Sequence, residues 1–432
     1  LMLADLLDPF PVVRRTFEEA DRVLAGHLDL PLSHYVFSSS GPSAEAEDHL
    51  RNTRITQPAV LTADIALFRL LESLGISPAR VAGHSLGEYA ACVAAGVLSF
   101  AEALYAVSLR GKAMSEIDVP DPGKMASATA DEATVARLLE GIPGYLEIAN
   151  RNGPRQSVVA GDTQAVDAFR KRCEEAGIPC VELKVSAAFH SRIVAPAQEP
   201  FGRVLRELNL RAPRIPIYAN VTGEPYPSGQ GAEEEIYRLL RKQFAAPVQW
   251  SKTMERMFAD GARIFVECGP KRVLANLALM NLEGRPVQVL ETHHPKKPGL
   301  EQLCLAVARL RANGVSAAWL NESERPVELT GQSAKTQASP AVPQSESKGL
   351  EGAGGNGRHA VGPLGRKLEG PSLSARPSPG TAAVVVSGYA VGLPALERRI
   401  FDPRNLDDLM QGRGFISALA REEKAKLLEK RV

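Results

Sequence analysis

Apolar residues recur at helical spacing through PAVLTADIALFRLLESLG (58–75), and the stretch closes on Gly75, so the pattern predicts an amphipathic helix. A short apolar run at about 79–82 then breaks at Gly83-His84-Ser85-Leu86-Gly87, and an Ala-rich helix leaves the turn. Strand, tight turn and helix in that order form the repeating unit of a parallel α/β sheet. Between 124 and 190 the period changes. KMASAT, YLEIANR, QSVVAGD and CVELKVS read as strands, with DEATVARLLEGI and TQAVDAFRKRCEEAG as helices between them. That β-α-β-β-α-β order predicts a ferredoxin-like subdomain inserted into the larger α/β unit. The α/β alternation resumes with RIPIYANV, helices near 233–244 and 251–260, and the strand ARIFVECG. Two subdomains of this kind would leave a cleft, and Ser85 and His190 both fall where an element passes into a turn.

Composition divides the 432 residues into three parts. Residues 1–320 carry the periodic pattern of a packed domain. Residues 331–380 hold 10 Gly, 6 Pro and 7 Ser and no Phe, Tyr or Trp, too little apolar area to offset ordering entropy. The segment 321–380 is therefore expected to be a flexible linker. From 381 a strand-like run, TAAVVVSGYAVGLP, and a polar amphipathic stretch suggest the truncated start of a second domain, 381–432. The whole reads as a piece of a larger protein.

Charge narrows the function classes. With 51 Lys plus Arg against 50 Asp plus Glu, the net charge of +1 gives no electrostatic case for nucleic acid or an anionic membrane surface. No apolar run approaches a membrane span, and LMLADLLDPF lacks the basic leader of a secretory signal. Five cysteines, an odd number set in apolar or helical stretches, suit reduced thiols in a cytoplasmic protein. No pair at metal-ligand spacing occurs, so no metal site is expected.

Gly83-x-Ser85-x-Gly87 has the pattern of a nucleophile elbow, in which a strained strand-to-helix turn projects a serine hydroxyl. The N–H of Leu86 could then face a developing oxyanion. The same residues could also be a plain helix N-cap after a Gly turn. A serine nucleophile needs a base, and elimination among eight histidines leaves His190, in Ser-Ala-Ala-Phe-His-Ser at the end of the last ferredoxin-like strand. His84 adjoins the serine but points elsewhere on a tight turn. Arg110 lies on the next predicted helix, where it is either a solvated cation or a bidentate clamp for a carboxylate; spacing leaves both open.

With these residues in view, the chain resembles the malonyl-CoA:acyl carrier protein transacylases, including the acyltransferase domains of polyketide and multidomain fatty-acid synthases. The resemblance rests on Thr56-Gln57-Pro58-Ala59, Gly83-His84-Ser85-Leu86-Gly87-Glu88, Leu109-Arg110-Gly111-Lys112-Ala113-Met114, Asn150-Arg151-Asn152-Gly153-Pro154, Phe189-His190-Ser191, Pro247-Val248-Gln249-Trp250 and Glu267-Cys268-Gly269-Pro270, in family order over about 1–290. It implies an α/β-hydrolase-like core carrying the ferredoxin-like subdomain. It also implies that Ser85 takes malonyl from malonyl-CoA as an ester and that His190 moves the proton. Arg110, supported by Gln57, would hold the free carboxylate. A main-chain carbonyl, expected at Gln249, would orient the imidazole, and Asn152 would lie near it. The acceptor is the phosphopantetheine thiol of an acyl carrier protein, with no bound cofactor. Leu86 and Phe189 match members that prefer malonyl to methylmalonyl, a discrimination by one methyl worth about 1–3 kcal/mol.

Family members open with a strand and a Gly-Gln-Gly-Ser-Gln loop that supplies a second oxyanion donor. This chain is expected to start just after it, losing an edge of the sheet and, with one donor gone, about 100- to 1,000-fold in turnover. Residues Val384–Gly388 and Phe401–Leu409 resemble the opening of a β-ketoacyl synthase, which would make neighbouring synthase domains partners within one polypeptide. Two other readings stand beside the transferase: a serine thioesterase or hydrolase with the same elbow, and a docking domain without catalysis.

Overall fold

The computed structural model describes residues 2–37, 50 and 52–317, and the expected linker (321–380) and ketosynthase-like segment (381–432) lie outside the described residues. Eight strands are described, β1 Val81–Ala82, β2 Lys124–Ala128, β3 Leu146–Gly153, β4 Gln156–Gly161, β5 Cys180–Leu183, β6 Ile217–Tyr218, β7 Ile264–Glu267 and β8 Gln288–Glu291. In the larger unit the described strands pair in parallel, β1 with β6 and β7 with β8. Helices Pro11–Val23, Thr53–Ser73, Phe100–Ser115 and Gly299–Ala312 surround them. Leu61, Ile65, Leu67, Leu104, Val107, Ile217 and Leu303 share one core in which each is essentially without solvent contact.

The two parallel pairs are not hydrogen-bonded to each other. Between them runs a largely apolar cavity of about 410 Å³, walled by Val81 and Ala82 on one side and Ile264, Phe265 and Val266 on the other.

Residues 124–183 form a separate four-stranded antiparallel sheet of order β3-β4-β2-β5. Helices Glu132–Leu139 and Thr163–Glu175 cover one face through Val135, Val166 and Phe169, which meet Ala126, Ile148 and Val159. The other face turns Met125, Ala149, Val158 and Ala160 toward Ala188 and Phe189, so alternate positions along each strand are buried on opposite sides. All six elements expected in this stretch are present.

Two boundaries differ from the sequence pattern. The helix expected from Pro58 starts at Thr53, because Asn52 caps it by accepting from the Arg54 N–H at 3.0 Å and so closes a first turn ahead of the proline. The strand expected through Ser186 stops at Leu183. Its neighbour β2 begins at Lys124, so the ladder runs out after the Met125–Leu183 pair. His190 consequently sits in a turn beyond the sheet.

Candidate active site

Gly83 is obligatory: a Cβ there would lie 1.9 Å from the Gly87 carbonyl oxygen, which is how closely the chain doubles back between β1 and helix Gly87–Ala94. Ser85 is held at φ 52° in the left-handed region, a conformation that costs a non-glycine residue roughly 1 kcal/mol or more. Asn220, just after β6, holds it there. Its Oδ1 accepts from the Ser85 N–H at 2.6 Å, and its Nδ2 donates to the Gly83 carbonyl at 2.5 Å. The Leu86 N–H stands at the entrance to the helix with no hydrogen bond among the described residues, where an oxyanion could receive it.

Ser85 Oγ lies 2.6 Å from His190 Nε2 although 105 residues separate them. On the far side of the ring, Nδ1 is 3.2 Å from the carbonyl oxygens of both Gln243 and Ala246. Two carbonyl acceptors assign the proton to Nδ1, so Nε2 carries the lone pair and the serine hydroxyl donates to it. The imidazole is buried. Burial first, then the nearby Arg110 and His84, pull its pKa down to about 3, against the two carbonyls that raise it. A neutral ring ready to take a proton is the result.

Arg110 is 2% exposed, which removes the solvated-cation alternative. Its Nη1 donates to Gln57 Oε1 at 2.8 Å, and the guanidinium lies over the rings of Tyr89 and Phe244 at 5.9 and 5.8 Å. Nε makes no hydrogen bond. Gln57 reaches it because helices Thr53–Ser73 and Phe100–Ser115 cross at Gly111, where a Cβ would come 2.7 Å from the Thr53 carbonyl. A buried cation with spare donors is a ready partner for an incoming carboxylate.

Gln243 ties these groups together. Its carbonyl meets His190 Nδ1, its Nε2 donates to the Ser85 carbonyl at 2.7 Å, and its Oε1 lies 3.5 Å from Arg110 Nη2. Sequence reasoning assigned the orienting carbonyl to Gln249, and the structure corrects this. Gln249 is the N-cap of helix Trp250–Ala259, and its carbonyl is committed to the N–H and hydroxyl of Thr253, each at 3.0 Å. Asn152 is also displaced from its expected place. Its Oδ1 meets His84 Nε2 at 2.8 Å and its Nδ2 donates to Gln156, and His84 packs edge-on against Trp250, so Asn152 braces the residue before Ser85 and its hydrogen bonds do not go to His190. Phe189, next to His190 in the chain, is half-buried and packs against both neighbouring apolar clusters.

Asn220, Gln243 and Glu88 were missed as functional residues. Glu88 is fully buried behind the elbow, accepting from the Tyr226 hydroxyl at 2.6 Å and the Asn220 N–H at 3.1 Å. Their only advance signal was the Glu that follows the Gly-x-Ser-x-Gly turn. Among the described residues no cluster of His, Cys, Asp or Glu has the geometry of a metal site. Asn220→Ala would leave the Ser85 N–H and the Gly83 carbonyl buried without partners, at about 1–3 kcal/mol each. The expected result is a lower melting temperature and acylation slowed roughly 10- to 100-fold, followed by an intact-mass time course.

Comparison with known proteins matches residues 2–317 to the acyl transferase domain family. The malonyl CoA-acyl carrier protein transacylase of Escherichia coli K12 is 36% identical over 281 residues, 64% of this chain and 86% of that protein. Polyketide synthase GfsA of Streptomyces halstedii is 34% identical over 318 residues, which are 73% of this chain but 4% of that much longer one. The crystal structure of the acyltransferase domain from the second module of the salinomycin polyketide synthase superposes with a TM-score of 0.65 at 34% identity. The match covers 77% of this chain and 75% of that domain.

Proposed function

Because the chain belongs to the acyl transferase domain family, we propose that Ser85, His190 and Arg110 are the working parts of its acyl transfer. The chain is an acyltransferase that moves malonyl from malonyl-CoA to an acyl carrier protein in fatty-acid or polyketide biosynthesis. One observation carries the site assignment: a serine and a neutral histidine in hydrogen-bond contact at 2.6 Å, with a buried guanidinium joined to both through Gln243.

In this reading Arg110 and Gln57 receive the malonyl carboxylate and set the thioester carbonyl against Ser85. Oγ attacks that carbon as its proton passes to His190 Nε2, and the oxyanion forms toward the Leu86 N–H. The imidazolium that results keeps its Nδ1 proton on the Gln243 and Ala246 carbonyls. Collapse breaks the carbon–sulfur bond, and the CoA thiolate takes the proton from Nε2. The phosphopantetheine thiol of the carrier protein then gives its proton to Nε2 and attacks the seryl ester; the carbon–oxygen bond breaks, and Ser85 Oγ takes the proton back from Nε2. The proton and acyl balance closes with no cofactor. Phe189, adjacent to His190 in the chain, would with Leu86 crowd a branch on the acyl α-carbon.

A hydrolase built on the same elbow has no use for a buried guanidinium, and a docking domain has no use for the serine–histidine contact. The proposal extends to the chain's layout: an α/β-hydrolase-like core with a ferredoxin-like insertion over about 124–190, a linker over 321–380, and the opening of a ketosynthase-like domain from 381, which makes neighbouring synthase domains its partners. The five unpaired cysteines favour the cytoplasm, and among the described residues no helix is long and apolar enough to cross a membrane. Intact-mass spectrometry tests the assignment. Exposure to malonyl-CoA is expected to add one malonyl group to the protein, and the adduct should be absent from Ser85→Ala. A malonylated Ser85→Ala protein would overturn it.

A further inference from the structure

Glu88 is the one carboxylate fully buried behind the catalytic turn among the described residues, and the mechanism above leaves it unused. Its Oε1 is bound by Tyr226 and the Asn220 N–H, while Oε2 makes no hydrogen bond. The charged group that bears on it is Arg110, acting through space with the Gln243 side chain beside both. The other titratable groups around Glu88 are the Tyr89 and Tyr226 phenols and the Cys92 thiol. Burial pushes all three up, so they stay neutral. With His190 also neutral, the buried cluster holds one cation and, above about pH 7, one anion. An acyl group bearing a carboxylate, placed against Arg110, adds a second anion. An unbalanced charge in a water-poor site is costly, and a titratable neighbour relieves it by changing protonation.

We propose that Glu88 is the charge counterweight of the Arg110 site, ionised while the acyl pocket is empty or holds an uncharged acyl group and protonated when a carboxylate-bearing acyl group reaches Arg110. The proposal rests on the reading of Arg110 as the partner of the substrate carboxylate. Burial already carries the Glu88 carboxyl up to about 7, against the Tyr226, Asn220 and Arg110 contacts that lower it, so a modest further push protonates it near neutral pH. Glu88 then acts through Arg110, as a positioning residue, and makes binding of dicarboxylic thioesters a proton-uptake event. Below the pKa of the empty site both states are protonated and the coupling vanishes. Above it, affinity for malonyl-CoA falls by up to about tenfold per pH unit until the pKa of the occupied site is passed.

Calorimetry on Ser85→Ala protein, which binds without acylation, separates the cases. Titrations with malonyl-CoA at about pH 7.5, in two buffers of different ionisation enthalpy, are expected to show uptake of roughly half to three-quarters of a proton. Acetyl-CoA should show none. Adding Glu88→Gln should abolish the uptake and flatten the pH dependence of malonyl-CoA binding. Equal uptake for the two thioesters, none for malonyl-CoA, or uptake that survives Glu88→Gln would overturn the proposal. The Ser85→Ala titrations decide it even if Glu88→Gln fails to fold. A companion Ser85→Ala/Arg110→Ala protein reports on the underlying reading: if malonyl-CoA and acetyl-CoA lose affinity equally there, the carboxylate clamp itself has failed. Selective loss for malonyl-CoA without proton uptake rejects the counterweight alone.

Discussion

Replacing Arg110 with alanine is expected to lower malonyl transfer about 100- to 1,000-fold while acetyl transfer stays level or rises. The magnitude follows from removing one partner of a desolvated charge pair, at about 3–4 kcal/mol. The asymmetry follows from the substrates, since malonyl carries a second carboxylate and acetyl does not. Nothing else in the described site offers a cation in its place: His190 and His84 are both held neutral by burial. Arg110→Lys should recover little, because a lysine ammonium cannot donate to Gln57 and grip a carboxylate with the same fork. Rates with each thioester, measured side by side, check the claim. A parallel loss for both would mean that Arg110 supports the fold and not the choice of substrate.

His190→Ala should slow acylation by about 10⁴-fold, since the serine then has no base and the leaving thiolate no proton donor. The pH profile separates this histidine from an ordinary one. The ring must be neutral to accept the serine proton, and its pKa is pulled to about 3 from the usual value near 6.5. Acylation at saturating malonyl-CoA is therefore expected to hold nearly level from pH 8 to pH 5 and to fall only below about pH 4. Rapid-quench measurement of the acyl-enzyme reads this directly. An inflection near 6.5 would show that the imidazole is wetter than its surroundings indicate.

Which parts of the site could be read from the chain depends on where each function resides. Ser85 sits in a local elbow pattern that residue type and spacing announce, whereas spacing left Arg110 open between two readings and Gln57 came forward only with the family resemblance. His190 was reachable by elimination, but its environment was not. The strand thought to deliver it stops at Leu183, three residues short of the expected Ser186 and seven before His190, because its ladder with β2 ends at the Met125–Leu183 pair. The carbonyls that hold the ring belong to Gln243 and Ala246, and any residue type can supply a carbonyl, so sequence carries no trace of the role. Gln249 drew attention by its place in Pro-Val-Gln-Trp, yet its own carbonyl is spent on starting a helix. Asn220 acts across 135 residues and Gln243 across 158, distances over which neither periodicity nor motif spacing has anything to say. Glu88 was adjacent to the motif, but its meaning lies in its burial.

The narrowness of the two parallel sheets bears on where the described part of the molecule gives way first. β1 leads into the turn that carries Ser85, yet among the described residues β6 alone flanks it, and β7 is likewise paired on one side. The antiparallel sheet of residues 124–183 is laced across four strands and covered on both faces. Local opening follows the weaker lattice. Amide protons along β1 and β7 will exchange with solvent well before those of β2 and β4, so Ser85 follows one of the less durable of the described sheets.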